Sequence, residues 1–206
     1  MPKPHYAPSR FQLILAIVSV LAAVIFAGLL YYFSQFPHGQ VASGTALVGG
    51  PFTLTDQDGR KVSDKDFLGK YMLVFFGYTY CPDVCPTELQ VMSAALDSMG
   101  VKADVIQPVF ISVDPERDTP EVLKQYVGNF HPRLMGLTGT PEEIAAVAKT
   151  YRVFFSRVEN SGSDAYLMDH STIIYLMDPQ GKFLKHFTYS NDAAALAKAL
   201  AQAISG

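Results

Sequence analysis

Tryptophan is absent from the 206 residues, cysteine occurs twice, and charged side chains make up only 17%. Two cysteines allow one bridge at most, which excludes a disulfide-built scaffold. Sixteen Lys and Arg against nineteen Asp and Glu leave a net charge of −3, so no basic field exists to attract nucleic acid. The low charge does not mark a disordered chain, because 49% of the residues are hydrophobic. Thirteen Pro and fifteen Gly follow no period, which excludes collagen-like and linker-dominated chains.

Charge is missing altogether from one long stretch. Phe11 to Phe33 is an apolar run broken only by mild polar residues such as Gln12 and Ser19. At the helical rise these 23 residues cover about 35 Å, enough to cross a hydrocarbon core of about 30 Å. Lys3 and Arg10 precede the run, and no Lys or Arg follows until Arg60. The positive-inside rule then keeps the N-terminus in the cytoplasm and exports the rest. A cleaved signal peptide fits less well, since its apolar core is shorter and a small-residue cleavage site follows closely. Here the run ends in Tyr31, Tyr32 and Phe33. The expected organisation is a cytoplasmic N-terminus (1–10), a transmembrane anchor (11–33), a tether (34–50) and one domain (51–206). Residues 1–36 carry Lys3 and Arg10 and no acidic side chain, so the exported part stands at −5 against −3 for the whole. A mitochondrial presequence is longer and rich in Arg and Ser, so a bacterial inner membrane with a periplasmic domain is expected over a mitochondrial inner membrane facing the intermembrane space.

Within the domain, Asp58-Gly59 between two short alternating runs signals a hairpin. Met72 to Phe76 and Val105 to Val113 read as strands buried on both faces. Leu89, Met92, Leu96 and Met99 recur at helical spacing, and Pro120–Val127, Pro141–Tyr151 and Ala193–Ile204 read as further helices. Ser171 to Met177 is a strand that Gln180-Gly181 turns into Lys182 to Phe187. This order implies an α/β fold, a thioredoxin-like mixed sheet flanked by helices, parallel in the middle and antiparallel at one edge. A flavodoxin-like doubly wound sheet fits worse, because a turn rather than a crossover helix joins the last two strands.

The chemistry concentrates in Cys81-Pro-Asp-Val-Cys85-Pro86. Cys85-Pro86, Thr119-Pro120 and Thr140-Pro141 each read as a helix start with Pro at the first helical position. Cys85 is then expected at an N-cap, where the helix dipole lowers a thiol pKa and makes it reactive or metal-binding. Cys81 lies one turn earlier, at the carboxyl end of a central strand, where ligands of open α/β sheets collect. A pair of buried structural thiols, or one inert bridge, is the bland alternative. The spacing allows a disulfide and equally two sulfurs on one metal ion.

Two sulfurs are an incomplete set for most metals, and a third ligand is expected among the histidines. His5 falls before the anchor and His38 in the tether, while His131 reads as a loop residue and His186 as solvent-facing. His170 stands where a polar loop meets a buried strand, and from pattern alone its ligand role stays open. Two thiolates and an imidazole suit three-coordinate Cu(I), or Cu(II) with an added oxygen ligand, whereas structural zinc wants a fourth protein ligand. Met168 is in place for a weak thioether contact but reads as core. Asp83, Asp114 and Asp169 are candidates for supporting the ligands or docking a partner. Helix capping accounts for Asp118 and Thr119.

The stretches Phe76-Gly-Tyr-Thr-Tyr-Cys-Pro-Asp-Val-Cys-Pro86, Val113-Asp-Pro-Glu-Arg-Asp-Thr-Pro120 and Asp169-His170 resemble the Sco/SenC family, and the likeness extends over nearly all of 48–204. The resemblance implies a thioredoxin-like fold that binds one copper ion through Cys81, Cys85 and His170. It implies a metallochaperone that helps assemble the binuclear copper centre of cytochrome c oxidase subunit II. The alternative is a thiol–disulfide oxidoreductase whose Cys81–Cys85 pair reduces the cysteines of that centre. Further expected partners are a copper donor protein and a thiol reductant, with a membrane reached through the N-terminal helix. A general disulfide reductase is a poorer match, since three residues separate the cysteines. A peroxidase of related fold would need an Arg and Thr constellation, of which only Thr87 is in sight.

Overall fold

The structure, a computed structural model, describes residues 19–21, 23–29, 48–159, 166–188 and 192–205. The chain divides into two units, residues 1–45 and 46–206. In the first, the described residues are helical, and Val20, Leu21, Val24, Ile25, Phe26 and Leu29 are exposed. The rest of the expected anchor at 11–33, the segment 1–10 and most of the tether lie outside the described residues. Among the described residues no helix is long and apolar enough to cross a membrane.

The second unit begins with β1 (Thr53–Asp56) and β2 (Lys61–Ser63), an antiparallel hairpin. Gly59 takes φ +80° in its turn, a conformation that a side chain disfavours. The Asp56 carboxylate accepts the backbone N–H groups of Asp58 and Arg60, so the turn closes on its own side chain. β3 (Tyr71–Gly77) is buried from Met72 onward, as its unbroken apolar run requires. α1 (Val84–Met99) turns Cys85, Leu89, Met92, Ala95 and Leu96 inward at three- and four-residue steps. β4 (Ile106–Ser112) returns parallel to β3.

α2 (Pro120–Val127) and α3 (Pro141–Tyr151) start at Thr119 and Thr140, whose side chains accept from Val122 N–H and Glu143 N–H. Glu143 closes a capping box with Thr140. Between these helices runs β5 (Met135–Thr138), a strand that the periodicity does not announce. β6 (Phe155–Glu159) and β7 (Tyr166–His170) form an antiparallel arm of their own, also unannounced. β8 (Ile173–Met177), β9 (Phe183–Thr188) and α4 (Ala193–Ile204) complete the unit.

The main sheet runs β2-β1-β5-β4-β3-β8-β9. Its centre, β5-β4-β3, is parallel, and antiparallel pairs close both edges, because β1 runs against β5 just as β8 runs against β3. Sequence reading expects an antiparallel edge on one side only. With that correction, the architecture is the expected thioredoxin-like mixed sheet flanked by helices.

Topology explains why distant residues meet. Gly77 pairs with Ser112 at the parallel ends of β3 and β4, so the cysteine loop and the loop from Val113 leave from one sheet edge. β8 enters antiparallel to β3, with Ile174 opposite Phe75, so the chain just before β8 lies at that same edge. His170 is three residues before β8.

Candidate metal centre

Cys81, Cys85 and His170 converge, and their ligand atoms all lie within 4.8 Å of one another. Cys85 Sγ stands 3.3 Å from His170 Nε2, and the backbone N–H of Cys85 points at Cys81 Sγ at 3.4 Å. At metal–donor bond lengths of about 2.0–2.3 Å, three donors around a trigonal ion lie about 3.5–4 Å apart. The three atoms need only small shifts to reach that spacing. Both cysteines are free thiols, Cys85 buried and Cys81 half-buried.

The local reason for this placement differs from the one expected. α1 starts one residue before Cys85, with Asp83 at the N-cap and Pro86 at the third helical position rather than the first. Proline is tolerated throughout a first turn, because none of those N–H groups has an intrahelical partner. Cys85 therefore points into the core from inside the helix, while Cys81 receives the helix N-terminus. The electrostatics follow. A hydrogen bond from Cys85, helped by the N–H groups of Cys85 and Asp83, holds the Cys81 thiol well below its ordinary pKa. Donation to Cys81, then burial, pushes Cys85 up. The helix N–H groups and the greater exposure thus favour Cys81 as the more readily ionised sulfur, where the sequence points to Cys85.

Gly77 is what admits the Cys85 sulfur. A Cβ there would stand 2.7 Å from Cys85 Sγ and 2.8 Å from a Phe110 ring carbon. His170 is framed edge-on by the rings of Phe75 and Tyr78, at centroid distances of 6.1 and 5.8 Å. Its Nδ1 lies 3.2 Å from the Ser171 carbonyl oxygen, which can only accept. That bond places the proton on Nδ1 and leaves the Nε2 lone pair facing the sulfurs, the tautomer that a metal ligand needs.

The other candidates separate. Asp83 is exposed at the helix start and meets Cys81 only through its backbone N–H, and Asp169 is exposed on β7. Asp114 is buried, paired with Arg117 and bonded by the Tyr166 hydroxyl at 2.7 Å. Met168 packs against the core. His131 is buried and accepts from Arg133 N–H, and His186 is exposed on β9, stacked on Phe183. Asp118 was missed. It caps no helix; fully buried, its carboxylate takes Thr79 N–H at 3.0 Å, the Thr79 hydroxyl at 2.6 Å and the Ser112 hydroxyl at 2.5 Å. It ties the cysteine loop to the end of β4. A carboxylate just before the Thr119 N-cap, with nothing left to cap, is the signal that could have found it.

The chain matches the family model described as SCO1/SenC over residues 40–205. It belongs to the SCO1/SenC family. SenC of Rhodobacter capsulatus is 42% identical over 187 residues, covering 86% of this chain and 83% of that protein. The chain spans about half the length of mitochondrial relatives that it matches, 46% in the case of the Arabidopsis thaliana SCO1 homolog 1. Among solved structures, copper-bound ScoI of Arabidopsis thaliana superposes with a TM-score of 0.73 at 46% identity, over 77% of this chain and 98% of that one. BsSco is described as a member of the Sco family of cytochrome c oxidase assembly proteins with a disulfide switch. It superposes with a TM-score of 0.58 at 27% identity, over 77% of this chain and 94% of its own.

Proposed function

We propose that this SCO1/SenC protein is a copper metallochaperone that holds one copper ion through Cys81, Cys85 and His170 and hands it to an apo-protein in cytochrome c oxidase assembly. The carrying observation is the convergence of two sulfurs and one imidazole within 4.8 Å at one sheet edge. Soft thiolates with a neutral imidazole favour Cu(I), and an added oxygen ligand would extend the set to Cu(II). Among the described residues no fourth His, Cys, Asp or Glu joins the group, which disfavours structural zinc. Copper-bound ScoI and the oxidase-assembly description of BsSco support the same reading. The acceptor is proposed to be the binuclear copper centre of cytochrome c oxidase subunit II. Half-exposed Cys81 is where an acceptor thiolate would enter, with buried Cys85 and His170 released after it.

The apolar run at 11–33, with Lys3 and Arg10 before it, supports an anchor that leaves the domain in the periplasm of a bacterium. SenC is a bacterial relative of which the match covers 83%.

A second reading is favoured by one arrangement: the half-exposed Cys81 sulfur receives the Cys85 backbone N–H at 3.4 Å, which favours its thiolate, while Cys85 lies buried beside it. The Cys81 thiolate would attack a disulfide of the acceptor and release one of its sulfurs as thiolate. Cys85, on losing its proton, would then attack Cys81 Sγ, forming the Cys81–Cys85 disulfide and freeing the second acceptor thiol. An external dithiol reductant would restore the pair. Burial of Cys85 slows the second step, which favours the copper reading.

His170 separates the two. Copper titration of the reduced full chain in detergent, read by stoichiometry and by electron spin resonance of the Cu(II) form, should give one copper with sulfur and nitrogen ligation. The His170→Ala chain should bind copper at least about tenfold more weakly, as expected when a ligand is lost. It should keep its dithiol titre. Undiminished copper affinity in that variant would overturn the ligand set and leave the reductase.

A further inference from the structure

We propose that Arg117 is a positioning residue for the metal centre: with Asp114 and Tyr166 it locks the strand carrying His170 against the cysteine loop, so that copper affinity depends on a side chain that is not itself a ligand. The inference rests on the copper reading above and goes beyond its three ligands.

His170 reaches the sulfurs from an arm that shares no ladder hydrogen bond with the seven-stranded sheet. Something else must hold the arm in place. β7 begins at Tyr166 and ends at His170, so whatever fixes Tyr166 fixes the far end of the strand that delivers the imidazole. Arg117 Nη1 donates to the Tyr166 carbonyl at 2.9 Å, and its guanidinium lies 3.6 Å from the Tyr166 ring centroid. Asp114 pairs with Arg117 through one oxygen and accepts the Tyr166 hydroxyl on the other at 2.7 Å. The three side chains close on one another. Arg157 also lies 3.7 Å from the Tyr166 ring centroid, and two guanidiniums so close cannot share one ring face. The ring is therefore sandwiched, and Arg157 reaches Glu116 at 3.5 Å from the arm side.

The same Arg117 guanidinium lies 4.7 Å from the ring centroid of Tyr80, the residue before Cys81, and 5.8 Å from that of Tyr78, which frames His170. One planar cation thus touches the start of the His170 strand and the aromatic approach to Cys81. Its side chain is only 19% exposed, so these contacts are poorly screened by water. A flat, forked donor is required, because a lysine could keep the charge beside Asp114 but neither stack on Tyr166 nor bond its carbonyl in the same geometry.

The test uses the reduced full chain in detergent, with Cu(I) competed by a chromophoric chelator and amide exchange followed in the apo chain. Arg117→Lys should weaken copper binding about tenfold, the scale of one lost charge-assisted hydrogen bond. Exchange should quicken at 166–170 while β3 and β4 are unchanged. The milder Tyr166→Phe, which removes only the hydroxyl, should act in the same direction by about threefold. In the His170→Ala background, Arg117→Lys should have no further effect on copper affinity, the double-mutant signature of action through His170. Equal weakening in that background, or unchanged affinity and exchange in Arg117→Lys, would overturn the proposal. If the unaltered chain takes up no copper, the copper reading fails, and faster exchange confined to 166–170 still decides whether Arg117 holds the arm.

Discussion

Cys81 and Cys85 leave the sheet from the end of β3, a strand buried on both faces and paired on both sides, whereas His170 comes from a two-stranded arm outside that sheet. The sulfur side is held by packing: Cys85 has no exposed surface, and its sulfur fits a space that only a glycine leaves open. The imidazole side is held by side chains, through Tyr166, Arg117 and Asp114 at one end and the rings of Phe75 and Tyr78 at the other. Packed cores resist small displacements, and a few polar and aromatic contacts yield to them. If the chain hands copper on, as proposed, a rigid pair of ligands beside a yielding third suits stepwise release.

Gly77 is the strongest place to break this comparison. Gly77→Ala puts a methyl against Cys85 Sγ and Phe110, and overpacking of this kind costs about 1–3 kcal/mol. Urea denaturation should show that loss, and copper affinity should fall with it because the sulfur moves. A Gly77→Ala chain with unchanged stability and copper affinity would mean that the sulfur side is as adaptable as the arm.

Asp118 sharpens the same side by its pH dependence. Burial raises its carboxyl pKa above the ordinary value, against the lowering by the Ser112 and Thr79 donors. A folded pKa above the unfolded one means that the folded state binds the proton more tightly between the two values. Stability from this group is then greatest at low pH and falls as pH rises from the unfolded pKa, about 3.9, through the raised one. Asp118→Asn stays neutral at every pH and should cost about 1–2 kcal/mol through poorer hydrogen bonding. Its deficit against the unaltered chain should widen as pH is lowered through that window. A deficit that shrinks on acidification would show the carboxylate to be stabilised in its charged form, and the loop tie to be an ordinary ion–dipole anchor.

The sulfur side was also the side legible in sequence. Strands buried on both faces announce themselves as apolar runs, and Asp58-Gly59 announces the first hairpin through the conformation its turn demands. The arm was not legible. Phe155–Glu159 carries Ser, Arg and Glu on a largely exposed strand, and no alternation distinguishes it from a loop. β5 is only four residues long and contains Gly136, whose missing side chain lets Val127 and Leu123 of α2 approach to 3.0 and 3.4 Å of where a Cβ would stand. Helix starts misled in one case of three, because proline marks the first turn without marking which position in it, and so Cys85 rather than Cys81 was assigned the helix terminus. His170 stood out among five histidines by place in the chain, but only the resemblance made it a ligand, since its partners are side chains from three other segments.

The smallest effect belongs to the arm. At its base the Ser171 hydroxyl accepts the Phe154 N–H at 3.1 Å, and Ser171 N–H donates to the Phe154 carbonyl at 2.9 Å. Ser171→Ala removes the first bond and keeps the second, along with the Ser171 carbonyl that orients His170. The bond is exposed, so its loss should cost about 0.5–1 kcal/mol at most. That cost should appear in amide exchange as faster opening near 154–155, with global stability lowered by no more than that amount and Cys85 reactivity unchanged. If the variant instead loosened Cys85 to alkylation, the arm and the cysteine loop would be one cooperative unit, and the division between a packed sulfur side and a side-chain-held imidazole would have to be abandoned.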